Sequence, residues 1–377
     1  MRSFLLWFLS IYLSLGLYSG VRILYWVRIL GSTVHPAVVT LVLICAHLTV
    51  FFGRFIRAPL LGRTIIVFSN VWFGFFLVLS AIFFVSDVGL VIAHVTGFQR
   101  FSLPAIGRLV FACGFVAWML ATLLAVWLRQ TEYSIHVEKG ASAESFVIAV
   151  FSDLHLGTLS GVGRVNSVVR MVNAMEPDLV FIVGDLFDND VASIRSIDAI
   201  ATALSGIQAK YGVYACAGNH DVDFRGGSGI DAVVEFCKKA NIQMLADQLY
   251  EHPSFTIIGR LDHRPIGIQQ ERKSLDVLLA GVDMTKPIFM LDHQPTQIAT
   301  QAELGVDLTV CGHTHAGQVF PGRLVTRRMF VNDYGHLQIG AAHSVVTSGA
   351  WVWGPPIRFG TRSEVVKITV TFGAANA

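Results

Sequence analysis

The stretch Ser145-Phe-Val-Ile-Ala-Val-Phe-Ser-Asp-Leu-His155 decides how this chain is read. A run of apolar residues without polar alternation predicts a strand buried on both faces. It ends almost directly at a carboxylate, Asp153, and an imidazole, His155. The same arrangement recurs downstream. Residues 178–183 lead into Gly184-Asp185-Leu-Phe-Asp188 and 212–217 into Gly218-Asn219-His220-Asp221. Residues 287–291 lead into Asp292-His293, and 306–311 into Gly312-His313-Thr314-His315. A fold that gathers strand ends would gather carboxylate, amide and imidazole groups at one place. Segments 162–175, 194–207, 229–240 and 297–304 carry helical periodicity between the strands. Strand, polar loop, helix, strand is the pattern of an α/β sandwich whose functional loops follow the carboxyl ends of its strands. Residues 256–258, 337–339 and 365–370 read as further strands, the last ones antiparallel.

Upstream the character changes. The chain has 377 residues, 53% of them hydrophobic, and the excess sits in the first third. Uncharged stretches at 3–20, 36–53, 65–85 and 106–128 approach the ~20 residues that cross a bilayer core, which predicts an N-terminal α-helical membrane bundle of about four spans. Trp7, Tyr12, Tyr18, Tyr25, Trp26, Trp72, Trp118 and Trp127 fall largely near the proposed span ends, as interfacial aromatics do. With both termini on one side, Arg2, Arg54, Arg57, Arg63 and Arg129 face Arg22, Arg28, Arg100 and Arg108 across the membrane. That margin of one positive residue favours a cytoplasmic catalytic domain. The expected organisation is a membrane domain at 1–130, a connector at 131–144 rich in charged residues, and a catalytic domain at 145–371.

A net charge of +2 offers no basic field for nucleic acid, and none is expected as a partner. The five cysteines, Cys45, Cys113, Cys216, Cys237 and Cys311, contain no CxxC pair and imply no disulfide framework. His47, His94, His336 and His343 lack motif context and are read as structural. No feature of the sequence sets an oligomeric state.

Together DLHLG (153–157), GDLFD (184–188), GNHD (218–221), DHQP (292–295) and GHTHAGQ (312–318) resemble the calcineurin-like metallophosphoesterases, in the branch of the YkuE and YaeI type. The resemblance covers most of 146–370 and does not extend to the apolar spans. It implies a four-layer α/β/β/α sandwich with two metal ions above the strand ends. By motif position, Asp153, His155, Asp185 and His315 would bind one ion, and Asp185, Asn219, His293 and His313 the other, with Asp185 bridging. The donor chemistry agrees: oxygen and imidazole ligands without thiolate suit manganese, iron or zinc. Two such cations roughly 3.5 to 4 Å apart can hold a reactive hydroxide and neutralise a phosphoryl oxygen, which predicts hydrolysis of a phosphate ester.

His220 follows a ligand without being one, so its ring can lie beside the metals and protonate the departing alkoxide, with Asp188 as its orienting partner. Asp221 fits a loop-capping role as well as a catalytic one. Asn189 and Asp221 stand where the phosphoprotein phosphatases carry arginine and glutamate, which disfavours a Ser/Thr protein phosphatase. Arg260, His263, Arg264 and Arg358 are candidates for gripping substrate phosphate, weighed against a solvated surface role. The spans bring lipid-linked phosphates close, so a phosphodiester or phosphomonoester borne on lipid is an expected substrate. The alternatives are a UDP-diacylglucosamine-type or nucleotide pyrophosphatase and an inactive membrane binding or signalling protein.

Overall fold

A computed structural model describes residues 2–52, 59–98, 100–140, 145–188, 191, 194–222, 229–262 and 272–373. The order of elements begins with four helices, α1 (Arg2–Ile29), α2 (Pro36–Phe52), α3 (Pro59–Thr96) and α4 (Leu103–Val126). The remainder alternates β1 (Leu128–Val137), β2 (Phe146–Phe151), α5 (Val162–Asn173), β3 (Leu179–Val183), α6 (Ile197–Leu204), β4 (Val213–Cys216), α7 (Gly229–Lys239) and β5 (Gln243–Met244). It continues with β6 (Gln248–His252), β7 (Phe255–Gly259), α8 (Leu275–Leu279), β8 (Ile288–Leu291), α9 (Ile298–Glu303) and β9 (Leu308–Cys311). Helix α10 (Gly322–Met329) and strands β10 (Gly335–Ile339), β11 (Ala342–Val346) and β12 (Ser363–Phe372) complete the chain.

Two compact units result, one from residues 1–123 with 354–357, the other from 124–353 with 358–377. In the first, Leu60–Thr96 and Leu103–Val126 are long and apolar enough to cross a membrane. Helix α2 is apolar but, at 17 residues, short of the usual crossing length. Two helices rather than the four expected therefore meet the requirement among the described residues. Val91, Ile92, Val95, Leu109, Phe115, Val116, Met119 and Leu120 point outward, where water would penalise them and hydrocarbon would not. Some polar side chains of this unit pair with one another: Tyr12 with His47 at 2.8 Å, Ser19 with Ser80 at 2.7 Å, and Asp87 with both Tyr18 and Arg22. His47 is thus a partner in helix packing, in keeping with its structural reading.

The second unit holds two six-stranded mixed sheets, ordered β1-β12-β2-β3-β4-β5 and β10-β11-β9-β8-β7-β6. They face one another across a shared core in which Ile148, Val150, Phe181 and Val183 of the first meet Phe289, Leu291, Leu308 and Val310 of the second. The intervening side chains Ala149, Phe151, Val180 and Ile182 turn the other way, onto α5, α6 and α7. Both faces of these strands are buried, which is why their sequences are apolar without alternation. Helix α5 meets the sheet through Val165, Val168, Val169 and Val172, a stripe at helical spacing. On the second sheet, Ile258, Ile288 and Met290 pack with Leu275 and Leu278 of α8.

The first half of the segment read as a connector is a strand. β1 runs parallel to β12 over ten rungs, from Leu128 beside Ser363 to Val137 beside Phe372, and forms an edge of the first sheet. One face buries Ile135 and Val137 while Gln130, Glu132, Ser134 and His136 on the other remain exposed. Half-polar alternation and edge charges are what an edge strand requires, and they disguised it as a linker. Residues from 124 onward, including β1, belong to the second compact unit.

Candidate metal centre

All five polar loops follow parallel strands: β2, β3 and β4 in the first sheet, β8 and β9 in the second. Parallel strands end on the same side, so their loops converge. The loops are then stitched within each sheet, Asp153 N donating to Gly184 O and Gly312 N to His293 O, and across the sheets by His313 N donating to Asp153 Oδ2 at 3.3 Å. To leave the strands and turn inward at once, Asp153, His155, Asp185, His313 and His315 adopt left-handed backbone, with φ of 54°, 42°, 52°, 67° and 48°. Residues with a Cβ rarely sit there, at about 1–3 kcal/mol each, and such strain collects at functional sites.

Three donor groups result among the described residues, two of them made of expected ligands alone. Asp153, His155 and His315 bring one ligating atom each within 4.8 Å of one another, and so do Asp185, His293 and His313. Asp185 lies between them, its Oδ2 3.2 Å from His293 Nε2 and 3.8 Å from His155 Nε2. His315 Nε2 stands 3.3 Å from Asp153 Oδ1 and 3.2 Å from His155 Nε2. Nearly all of this is buried, and two acceptors in it, Asp153 Oδ1 and Asn219 Oδ1, have no hydrogen-bond partner. A buried oxygen without a donor is costly. A cation is the partner that fits a pocket already crowded with imidazole and carboxylate.

The surroundings set ligand orientation and charge. His293 Nδ1 donates to Val183 O at 2.8 Å, which aims Nε2 at Asp185. Burial works to raise the Asp185 pKa, but the charge and hydrogen bond of His293 hold it well below the usual range. His315 is pushed well below an ordinary histidine by burial, then by His155 and Arg358, which keeps it in the neutral form a metal ligand needs. Asp221 accepts from Phe187 N at 3.0 Å and Gly218 N at 2.8 Å. It ties two ligand loops together, the capping role. Burial, and then Asp185, push its pKa up to about 7.

Gly218 is demanded by close approach: a Cβ there would lie 2.2 Å from Asp185 Oδ1. Gly218→Ala is expected to weaken metal affinity roughly 10- to 100-fold, the scale on which disturbing the support of a ligand acts. Calorimetric titration of metal-stripped protein would measure it, and unchanged affinity would refute the steric argument.

His220 sits beside the ligands, its ring centroid 5.0 Å from that of His155 and edge-on to it. Its Nδ1 donates to the main-chain oxygen of Asp188 at 3.1 Å. The orienting contact therefore comes from the Asp188 backbone. The Asp188 carboxylate stands 3.6 Å from His155 Nδ1 and shares a group of possible ligands with His155 and His220.

The arginine candidates divide. Arg358 is fully buried and spends its donors on main-chain oxygens, Ser348 at 2.6 Å and His315 at 3.3 Å, clamping the His315 loop from behind. Arg260 is buried as well, bonded to Gln297 Oε1 at 2.6 Å and Asp292 Oδ2 at 3.3 Å. Neither is solvated and neither presents a free fork to substrate. His263, Arg264 and Asn189 lie outside the described residues. Sequence reading missed Trp353, whose ring centroid is 6.1 Å from that of His220, and Phe330, 6.3 Å from that of His313. Only the ring contact with His220 gives Trp353 a place at the site.

Residues 146–317 match the family model described as calcineurin-like phosphoesterase. An uncharacterized metallophosphoesterase of Helicobacter pylori is 31% identical over 58% of this chain, and the chain spans 58% of that protein's length. A transmembrane protein with metallophosphoesterase domain from Danio rerio is 30% identical over 64% of this chain and 57% of its own. The metallophosphoesterase YkuE of Bacillus subtilis is 26% identical, covering 60% of this chain and 79% of that one.

Proposed function

We propose that this chain, whose residues 146–317 match the calcineurin-like phosphoesterase model, is a membrane-anchored, dinuclear-metal phosphoric ester hydrolase. The observation that carries the reading is Asp185 Oδ2, placed between His293 and His155 at 3.2 and 3.8 Å so that one carboxylate serves both donor groups. Asp153, His155, Asp185 and His315 would hold one divalent ion, and Asp185, Asn219, His293 and His313 the second. Nitrogen and oxygen donors favour manganese, iron or zinc. When bound, the pair supplies a hydroxide nucleophile at neutral pH and offsets negative charge on the phosphoryl oxygens.

The chain's own residues do the rest. Val183 O keeps the imidazole of His293 aimed inward. His220, outside the ligand set, holds a proton for the leaving oxygen. A phosphodiester is the preferred substrate, and the two membrane-length helices favour one borne on lipid. Full-length protein in detergent, stripped of metal, should be assayed on bis- and mono-p-nitrophenyl phosphate and on lipid diphosphates with manganese, zinc and magnesium. Metal-restored turnover, higher on the diester, is expected. A folded protein that turns over no ester under any of the three metals would overturn the proposal.

A further inference from the structure

Helix α10 is turned inside out for a helix on a water-soluble surface. Its inner face is polar, with Thr326 Oγ1 bonded to Asp333 Oδ2 at 2.8 Å and Arg323 Nε 3.7 Å from the same carboxylate. The face it shows to the outside carries Leu324, Val325 and Met329, exposed by 47, 57 and 67%, together with the exposed Arg327 and Arg328. None of its residues is acidic and none is buried. A soluble helix hides its apolar stripe against the domain. The exposed side chains continue with Phe320, Val331, Trp353 and Phe359, exposed by 58, 69, 54 and 54%.

These residues are built onto the metal loops. Phe320 N donates to Phe359 O at 3.0 Å and Phe359 N to Gln318 O at 3.1 Å. Gln318 and Trp353 exchange a further pair of bonds at 2.9 and 3.0 Å. At the start of α10, a Cβ on Gly317 would lie 2.1 Å from Arg323 N, so the helix is seated directly on the turn that contains His315. At its end, Phe330 meets His313.

We infer that this face, formed by α10 with Phe320, Trp353 and Phe359, seats the catalytic unit on an anionic phospholipid surface. Aliphatic and aromatic groups reach into the acyl boundary while the arginines meet headgroup phosphates, the chemistry of an interfacial helix. A water-facing role leaves the apolar side unexplained, and a purely apolar protein partner leaves the arginines unexplained. The chain also tethers this unit to a candidate membrane span: Leu103–Val126, of membrane-crossing length and composition, leads directly into β1. Trp353 then lies both in this face and against His220, so the site borders the headgroup layer. The surface itself does not depend on the phosphoesterase reading. Only that consequence for the substrate does.

The test places a nitroxide at Leu324→Cys in full-length protein whose Cys45 and Cys113 are changed to serine, in nanodiscs of phosphatidylcholine with one-quarter phosphatidylglycerol. The control label is Val277→Cys on α8, where the side chain is 61% exposed. Collision with oxygen should rise, and collision with a water-soluble nickel complex should fall, at position 324 relative to 277. Arg327→Glu with Arg328→Glu, or discs without phosphatidylglycerol, should reduce that contrast, each arginine contributing about fivefold to surface partition. Equal accessibility at 324 and 277 would overturn the inference. So would protection at 324 accompanied by spin–spin broadening, which would assign the face to a second copy of the chain. Thermal unfolding separates misfolding from loss of lipid contact, and no readout requires turnover.

Discussion

Asp185→Asn is expected to lower kcat/KM on bis-p-nitrophenyl phosphate by a factor on the order of 10³ or more, the scale lost when a preorganised electrostatic group is removed. The substitution conserves size, and an acceptor oxygen can still take the bond from His220 N that now holds Asp185 Oδ1 at 2.8 Å. What disappears is the negative charge on the atom nearest both His293 and His155. An amide cannot balance two cations at once, and its NH₂ would compete for the imidazole that should ligate. Metal analysis should therefore show stoichiometry falling from two ions toward one, with thermal unfolding close to the parent. Parent-like turnover with two ions bound would dismiss Asp185 as the shared ligand.

His220→Ala tests a different step and should be read through the leaving group. With an alkyl ester, whose alkoxide needs a proton to depart, the loss should be roughly 10²- to 10⁴-fold. With p-nitrophenyl esters it should be much smaller, because nitrophenolate leaves without help. His220 is fixed by the Asp188 carbonyl through Nδ1, which leaves Nε2 to serve the substrate. Metal content should not change, since the ring is absent from both inferred ligand sets. Equal losses for both leaving groups would assign His220 a positioning role instead.

The main strands and their order of use were readable because burial on both faces writes itself as unbroken apolar runs, as in Phe146–Phe151 and Leu179–Val183. The candidate ligands were readable because each of those runs stops at a carboxylate, amide or imidazole. Shorter or one-sided elements were not. β1 looked like a linker, and α10 shows apolar residues on the face where a globular helix would be polar. The arginines illustrate the same limit: Arg260 and Arg358 carry a phosphate-binding side chain, and only packing reveals that Asp292, Gln297 and main-chain carbonyls already occupy it.

Residue order alone therefore determined that this chain joins an apolar helical region to an α/β unit with five polar strand-end loops, because hydrophobic periodicity is a local property. Tertiary structure decided that Asp185 lies between the two donor groups, that Asp188 steers His220 with its backbone, and that Trp353 and α10 belong to the neighbourhood of the site. Those relations depend on distances between residues far apart in the chain, and no local pattern encodes them.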